Sequence, residues 1–528
     1  MSEGGTPAAP TTIAAAVVSA AARFARREAL VDGDTRLDFA ELATEARRVA
    51  GALVASGIEP GERIAIWAPN IAEWVLAALG AYHCGAVVVT MNTRFKGGEA
   101  GHILRTSGAR LAFTVAGFLD TNFLSLLADA GPLPALTEVV LLRGSAPGAT
   151  DWEEFLRRAE SVDDGVVSAR LAALGADDVS DILFTSGTTG PPKGAMLTHG
   201  ASVRAYRSWA DVVGLTAGDR YLIVNPFFHA FGLKAGILAC LLKGATMLPQ
   251  AVFDVPAVLR RVREERISAL PGPPAIYQTM LEGGAGSGEP STLRLAVTGG
   301  AVVPVELIRR MRTELGFTSV VTGYGLTEST GIATMCRSTD DPETIATTAG
   351  RPIDGVEVRI VDADGASLPA GAPGEVLIRG YVVMAGYIGD PAATAEVVDE
   401  EGWLHTGDVG TLDGAGNLAL TDRLKDMFIV GGFNAYPAEI ESILSGHPGI
   451  AAVAVVGVPD ERLGEVGAAY VVARRGADLD AGSLAPWCRQ RMANYKVPRH
   501  FHLVEDLPRN ASGKVLKFEL RKTALGTD

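Results

Sequence analysis

Lysine is scarce in this sequence, with nine residues against 38 arginines. Arginine serves a solvated surface equally well but cannot act as a compact ammonium point charge, so each retained lysine is a candidate for chemistry. Cysteine is rarer still: Cys84, Cys240, Cys336 and Cys488 lie far apart, and no pair has CxxC or metal-ligand spacing. That spacing excludes a zinc ribbon, a thioredoxin-type motif and a disulfide framework, and fits reduced thiols in a cytoplasmic protein. Positive charge is in deficit, with a formal net charge of −14. A nucleic-acid-binding protein needs a basic footprint and is excluded, although a locally basic pocket can still take an anionic substrate. No basic segment precedes an apolar core near Glu3, which argues against a signal peptide. Charge is also missing from residues 74–93, a stretch long enough to span a membrane. It divides at Gly85 into an alanine-rich helical pattern and a β-branched run over 86–90, so a helix-to-strand step is expected there instead.

The chain is 528 residues long and 48% hydrophobic, which implies a globular protein of two or more domains. From about 12 to 350 helical and strand patterns alternate: helix over 38–55 with Asp38 as N-cap, strand over 63–67, helix over 71–83, and a short strand over 181–185. Such alternation predicts α/β layers with largely parallel sheets. Residues 282–290 (EGGAGSGEP) read as a surface loop. From 352 to 423, short strands over 356–361, 375–379 and 418–421, with turn signals at Asp364-Gly365 and Asp413-Gly414, predict a small antiparallel unit. The last hundred residues form an α+β pattern: helices over 438–444 and 484–492, and strands over 451–456, 468–473 and 500–504. The fold class expected is a large multi-subdomain N-terminal α/β domain over 1–424 with a small antiparallel β unit, followed by a small mobile α+β domain over 425–528.

Four segments carry chemistry. Residues 184–194 (FTSGTTGPPKG) follow a strand directly and combine three glycines, the hydroxyls of Thr185, Ser186, Thr188 and Thr189, and Lys193. Glycines admit close backbone approach, while hydroxyls, amides and an ammonium suit phosphate oxygens. A Walker A loop would need Gly at 192 and Ser or Thr at 194, but the chain has Pro192 and Gly194. Residues 323–328 (GYGLTE) end in Glu328 where the dinucleotide fingerprint needs glycine. They offer an aromatic face at Tyr324, a hydroxyl at Thr327 and a carboxylate at Glu328, and read equally well as a turn with Thr327 as a helix N-cap. Residues 403–408 (WLHTGD), with Asp422-Arg423-Leu424-Lys425 downstream, offer a carboxylate for ribose hydroxyls and a guanidinium for ribose or phosphate, or else a polar turn with a surface ion pair. Residues 508–514 (PRNASGK) place Lys514 on a turn near the end of the chain.

These four motifs, in this order, resemble the adenylate-forming superfamily: acyl-CoA synthetases, nonribosomal peptide synthetase adenylation domains and firefly-type luciferases. The resemblance extends from about residue 12 to 522. It implies an AMP-forming acyl-CoA ligase that uses ATP, Mg²⁺ and coenzyme A to convert a carboxylic acid to acyl-AMP and then to a thioester. It also implies roles, position by position. Thr185, Ser186, Thr188 and Lys193, with Gly187, Thr189 and Gly190 in the same loop, hold the β- and γ-phosphates. Gly299, Gly300, Ala301 and Tyr324 bracket adenine, with Gly325 beside it; Thr327 touches the α-phosphate, and Glu328 with Thr185 ligates Mg²⁺. Asp408 and Arg423 bind ribose, Lys425 is the hinge, and Lys514 bridges the acyl carboxylate and the α-phosphate. Gly431 and Gly432 match the glycine turn where pantetheine enters.

His229, in Pro226-Phe227-Phe228-His229, resembles the aromatic gate of the acyl channel. Lys234, five residues on, is either structural, snorkelling at a helix edge, or in touch with a polar part of the acid. Channel walls over 229–238, 298–302 and 325–333 are mostly small and apolar, which predicts a roomy site for a medium- or long-chain or ring-bearing acid. The likeness is greatest to bacterial fatty-acid ligases, including those of actinobacterial steroid-ring breakdown, so a steroid-derived propanoate is one expectation and fatty-acid metabolism the broader one. The rival within the superfamily loads a carrier-protein thiol in place of CoA. A serine hydrolase is excluded by the lack of a G-x-S-x-G elbow. The partners expected are small molecules, with no nucleic acid and no membrane span, and the oligomeric state is open between monomer and homodimer.

Overall fold

The computed structural model describes residues 9–185, 192–283, 291–299, 303–423, 426–430, 433–460, 463–492, 494–509 and 515–525. Their backbone forms two compact units. The first holds residues up to Gly299 with Val303–Glu357 and Ile378–Leu404, and the second holds Val358–Leu377 and the chain from His405. Of the loop expected over 282–290, Glu282 ends the helix Pro274–Glu282 and Gly283 caps it, while 284–290 and the expected boundary at Lys425 lie outside the described residues.

The first unit is built on an eight-stranded sheet, in the order Gly386–Tyr387, Lys193–Thr198, Val179–Thr185, Val87–Thr90, Arg63–Trp67, Leu111–Val115, Glu138–Arg143 and Thr150–Asp151. From Val179–Thr185 to Thr150–Asp151 every neighbour is parallel, while the other two pairings are antiparallel. The central strands are buried apolar runs, as parallel strands covered on both faces must be. The helix Phe39–Ala55 starts where Asp38 and Glu41 close a capping box. The helix Ala72–Cys84 stops at Gly85, whose φ of +83° ends it before the strand Val87–Thr90 begins. The uncharged stretch is therefore a helix-to-strand step, and among the described residues no helix is long and apolar enough to cross a membrane.

Two smaller four-stranded sheets complete this unit. One orders Arg220–Ile223, Thr246–Pro249, Glu28–Asp32 and Thr35–Asp38; the other orders Leu295–Thr298, Ser319–Tyr324, Thr334–Met335 and Arg351–Pro352. The second unit holds most of a sheet ordered Val356–Val361, Gly374–Gly380, Trp403–Leu412 and Leu418–Arg423. It also holds a five-stranded sheet of Phe433–Ala435, Phe428–Val430, Gly464–Ala473 and Ile450–Asp460, with His500–Leu503 parallel to Gly464–Ala473. Helices Pro437–Ser445, Ala481–Arg489 and Lys517–Leu525 accompany this sheet, and Ile440, Leu444, Leu484 and Leu520 join its strands in one apolar core. The WLHTGD segment, equally readable as a polar turn, is the start of the ten-residue strand Trp403–Leu412. Its alternation of small and polar residues hides the strand, and pairing with neighbours on both sides forms it.

Lys234 is structural, the first of its two expected readings, but it does not snorkel. It sits on a π-helix, Phe231–Leu238, and only 1% of its side chain is exposed, so it has no water to reach. Its ammonium forms a salt bridge with Asp181, which is fully buried in the strand Val179–Thr185. Tyr82 and Ser180 donate hydrogen bonds to the same carboxylate. Burial lowers the Lys234 pKa, with Asp181 opposing; burial and then Asp181 raise that of Tyr82, keeping its phenol a donor. Two buried charges are tolerable here because each is paired and the carboxylate is further hydrogen-bonded.

Removing one partner leaves the other charged and buried. Lys234→Met is therefore expected to cost about 3–5 kcal/mol in chemical denaturation, with Lys234→Met/Asp181→Leu recovering most of it. A loss under ~1 kcal/mol for the single variant contradicts the pairing. A second expectation concerns acid. His83 and His199 are buried and held down to about 4, burial being the main cause in both. His199 Nδ1 also accepts the Ile13 N–H at 3.3 Å, a role only neutral imidazole can take. Below the ordinary histidine pKa the unfolded chain binds protons that the folded chain refuses, so stability should fall as pH drops from about 6.5 towards 4. Melting curves across that window check it, and a flat profile contradicts it.

Candidate active site

The phosphate-loop motif occupies the turn of an antiparallel hairpin. The strand Val179–Thr185 pairs with Lys193–Thr198, in a register that sets Thr185 opposite Lys193. Thr185 Oγ1 donates to the Lys193 carbonyl at 3.4 Å. A Walker A loop runs from strand into helix, so this hairpin separates the two on backbone grounds as well as on sequence. Ser186, Gly187, Thr188, Thr189 and Gly190 lie outside the described residues, but both ends of their loop are held. His102 Nε2 donates to the Pro192 carbonyl at 3.0 Å, and its ring meets Phe184 edge-on at 6.4 Å between centroids.

Glu328 stands on the short 3₁₀ turn Thr327–Ser329 that follows the strand Ser319–Tyr324. The N-cap of this turn is Leu326, not Thr327; Ser329 Oγ accepts the Leu326 N–H at 2.8 Å. Gly325 is required by contact: a Cβ there would lie 2.4 Å from the Ile332 backbone. At Gly299 a Cβ would lie 2.9 Å from the Gly323 carbonyl, so Gly299 lets the ends of two parallel strands approach. Gly300 and Ala301 lie outside the described residues. Tyr324 and Thr327 are both partly exposed, as groups that meet a ligand must be.

The sequence reading missed Tyr387, which ties these parts together. Its phenol donates to Glu328 Oε1 at 2.7 Å, and its ring lies 5.3 Å below the Lys193 ammonium. Burial, and then the Glu328 charge, push the Tyr387 pKa up, so the phenol stays a donor. Thr185, Lys193 and Glu328 thus belong to one hydrogen-bonded and ring-stacked group. Glu328 and the Thr185 hydroxyl are hard oxygen donors of the kind a small divalent cation takes.

His229 lies two residues before the π-helix Phe231–Leu238. Its ring is solvent-accessible although protein atoms enclose it on most sides, and that enclosure lowers its pKa. The preceding segment is pinned by Asn70, also missed, whose Nδ2 donates to the Ile223 and Asn225 carbonyls at 3.1 and 2.8 Å while its Oδ1 accepts the Phe227 N–H at 2.8 Å. Gly232 is required because a Cβ there would lie 2.2 Å from the Pro226 carbonyl.

In the second unit, Asp408 is buried and lies directly across the antiparallel pair from Arg423, which is described in its backbone alone. Fourteen residues of sequence separate two positions whose backbones the register makes neighbours. Lys425, Gly431, Gly432 and Lys514 lie outside the described residues. The segment that carries Lys514 is clamped at its base by an Arg509–Val515 bridge and by the Leu516 N–H donating to the Pro508 carbonyl at 2.8 Å. Beyond it, Lys517 pairs with Glu441 at 2.8 Å, anchoring the last helix to Pro437–Ser445.

The AMP-binding enzyme family matches residues 17–388, and the AMP-binding enzyme C-terminal domain matches 439–514. The chain belongs to the AMP-binding enzyme family. Within this family it is an AMP-forming acyl-CoA ligase, an acid–thiol ligase that uses ATP and CoA. It is 48% identical over 519 residues (97% of this chain, 99% of the relative) to 3-[(3aS,4S,7aS)-7a-methyl-1,5-dioxo-octahydro-1H-inden-4-yl]propanoyl:CoA ligase of Rhodococcus jostii (strain RHA1). It is 49% identical over 512 residues (97% and 98%) to the protein of the same name from Mycobacterium tuberculosis (strain ATCC 25618 / H37Rv). Among solved structures, ATP-bound MatB from Rhodopseudomonas palustris superposes with a TM-score of 0.86 at 28% identity, over 97% of this chain and 98% of that one.

Gly325→Ala tests the site geometry of this AMP-binding enzyme. It should leave circular dichroism unchanged and weaken ATP binding by about tenfold or more, because the added methyl pushes the Glu328 turn off Ile332. Unaltered ATP affinity by calorimetry contradicts that geometry.

Proposed function

We propose that this ligase activates a bicyclic ring-bearing propanoate of the kind named for its two relatives, and that adenylation and thioester formation use different faces of its smaller domain. The full-length similarity to two ligases of that acid, at 48% and 49% identity, carries the choice of acid. CoA is the acceptor expected over a carrier protein.

In the first step the carboxylate attacks the α-phosphorus, the bond to the β-phosphate oxygen breaks, and pyrophosphate leaves. Thr185 and Lys193 hold the departing phosphates, Thr327 meets the α-phosphate, and Lys514 bridges it to the acyl carboxylate. Glu328 and the Thr185 hydroxyl would hold Mg²⁺, which supplies charge neutralisation on the phosphates when bound. The fit is one of donor chemistry: Mg²⁺ prefers one or two protein oxygens beside phosphate and water. Tyr324, Gly299, Gly300 and Ala301 bracket adenine, and Asp408 and Arg423 take the ribose. In the second step the CoA thiol attacks the anhydride carbonyl and AMP leaves. Lys425 is proposed as the hinge that withdraws Lys514 and brings Gly431-Gly432 to the pantetheine passage. The family's domain pattern supports this, since the match to the C-terminal domain covers 439–514 and includes Lys514.

Two measurements test the proposal. In an acid panel read by pyrophosphate release and by AMP, the bicyclic propanoate should exceed octanoate and palmitate in kcat/KM by about tenfold or more. Preference for a straight-chain acid overturns the choice of substrate. In single-turnover assays Lys514→Ala should slow adenylation by roughly 10²- to 10³-fold and spare thioester formation from supplied acyl-adenylate. Gly432→Leu and Lys425→Pro should do the reverse. Equal slowing of both steps by Lys514→Ala refutes the exchange of faces.

A further inference from the structure

A lysine that binds phosphates and a glutamate that binds a cation carry opposite charges and need to serve one small region. In the absence of nucleotide such a pair tends to collapse into a salt bridge, and each partner then has to be released before it can bind its ligand. Lys193 and Glu328 form no ion pair here, and Tyr387 occupies the position between them. The ring presents its negative face to the ammonium, and the phenol hydrogen goes to one oxygen of the carboxylate.

The Tyr387 backbone is fixed from two sides. The two-residue strand Gly386–Tyr387 is annealed antiparallel to the Lys193–Thr198 strand, with Tyr387 opposite Ala195, two residues beyond Lys193. The Ile388 N–H donates to the Gly194 carbonyl at 2.9 Å, and the Tyr387 N–H donates to Thr394 Oγ1 at 2.9 Å. The Glu328 backbone is tied to the same segment, its carbonyl accepting the Met384 N–H at 2.8 Å. Tyr387 is 8% exposed, so its ring is packed among its neighbours.

We infer that Tyr387 is a positioning residue that acts as a spacer, holding Lys193 and Glu328 apart and aimed so that neither neutralises the other before the metal-bound nucleotide arrives. The inference rests on the reading of Lys193 as a phosphate ligand and Glu328 as a cation ligand. Tyr387 itself touches no reacting atom. Its ring supports the lysine, its hydroxyl orients the carboxylate, and the two contributions separate by substitution.

The experiment is calorimetric titration of the full-length protein with ATP, with and without Mg²⁺, alongside the Mg²⁺ dependence of acyl-AMP formation. Tyr387→Phe keeps the ring, so metal-free ATP should bind within about twofold of native. The Mg²⁺ concentration for half-saturation should rise about fivefold for the lost hydrogen bond to a charged group. Tyr387→Leu removes the spacer, and metal-free ATP should bind about tenfold more weakly because Glu328 captures Lys193. Adding Glu328→Gln to Tyr387→Leu should restore metal-free ATP binding, a rescue that general structural damage does not permit. Absence of that rescue, or native ATP affinity in Tyr387→Leu, overturns the spacer. If Tyr387→Leu does not fold, the Mg²⁺ shift of Tyr387→Phe decides, and no shift overturns it. Glu328→Gln alone separates the two readings. An unchanged Mg²⁺ requirement there refutes the cation-ligand role of Glu328, and the metal-free rescue still judges the spacer.

Discussion

The antiparallel register that sets Thr185 opposite Lys193 is the constraint on which the rest of the site depends. It fixes the two ends of the loop opposite each other. Three other contacts refer to the same two strands. Asp181, four residues before Thr185 and so about 13 Å down the strand, is locked to the π-helix by Lys234. His102 holds the far end of the loop through Pro192. Tyr387 lies on the strand annealed to the other side of the hairpin and reaches both Lys193 and Glu328.

The Asp181–Lys234 pair is a costly way to hold a strand against a helix. Apolar residues of matching volume often stabilise a core as well or better, because a buried pair regains little beyond its own desolvation. What charge adds is a single allowed register: sliding either element by one residue leaves two buried charges apart. That matters here because the helix carrying Lys234 begins two residues after His229 and lines the expected acyl channel, while the strand carrying Asp181 ends at the phosphate loop. A π-helix is itself a departure from the common geometry and tends to occur near functional sites.

Most of the architecture was legible in the sequence because local rules set it. The Asp38 capping box, the Gly85 stop and the buried run over Arg63–Trp67 all behave as their residue types dictate. The chemical motifs were legible for the same reason, since each concentrates glycine, hydroxyl and charge in a few consecutive residues. What escaped was set by register. Tyr387 sits on a strand of two residues, which no periodicity can announce. Asp408 and Arg423 were both legible from their motifs; what register adds is that antiparallel pairing sets their backbones opposite each other. Lys234 was readable as structural, but as a snorkelling side chain and not a buried ion pair, because its partner lies 53 positions earlier, although an aspartate inside an apolar strand was a signal that something must neutralise it.

A hairpin that grips the β- and γ-phosphates, as proposed for Thr185 and Lys193, would have work in one half-reaction only, since those phosphates depart before the thiol attacks. The measurement that tests this most directly is single-turnover kinetics of Lys193→Ala, following acyl-adenylate formation from ATP and, separately, thioester formation from supplied acyl-adenylate and CoA. The expected result is a loss of roughly 10²-fold or more in the first step, with the second within about twofold of native. Equal losses in both steps, or an unaffected first step, would contradict the assignment of the hairpin to the departing pyrophosphate.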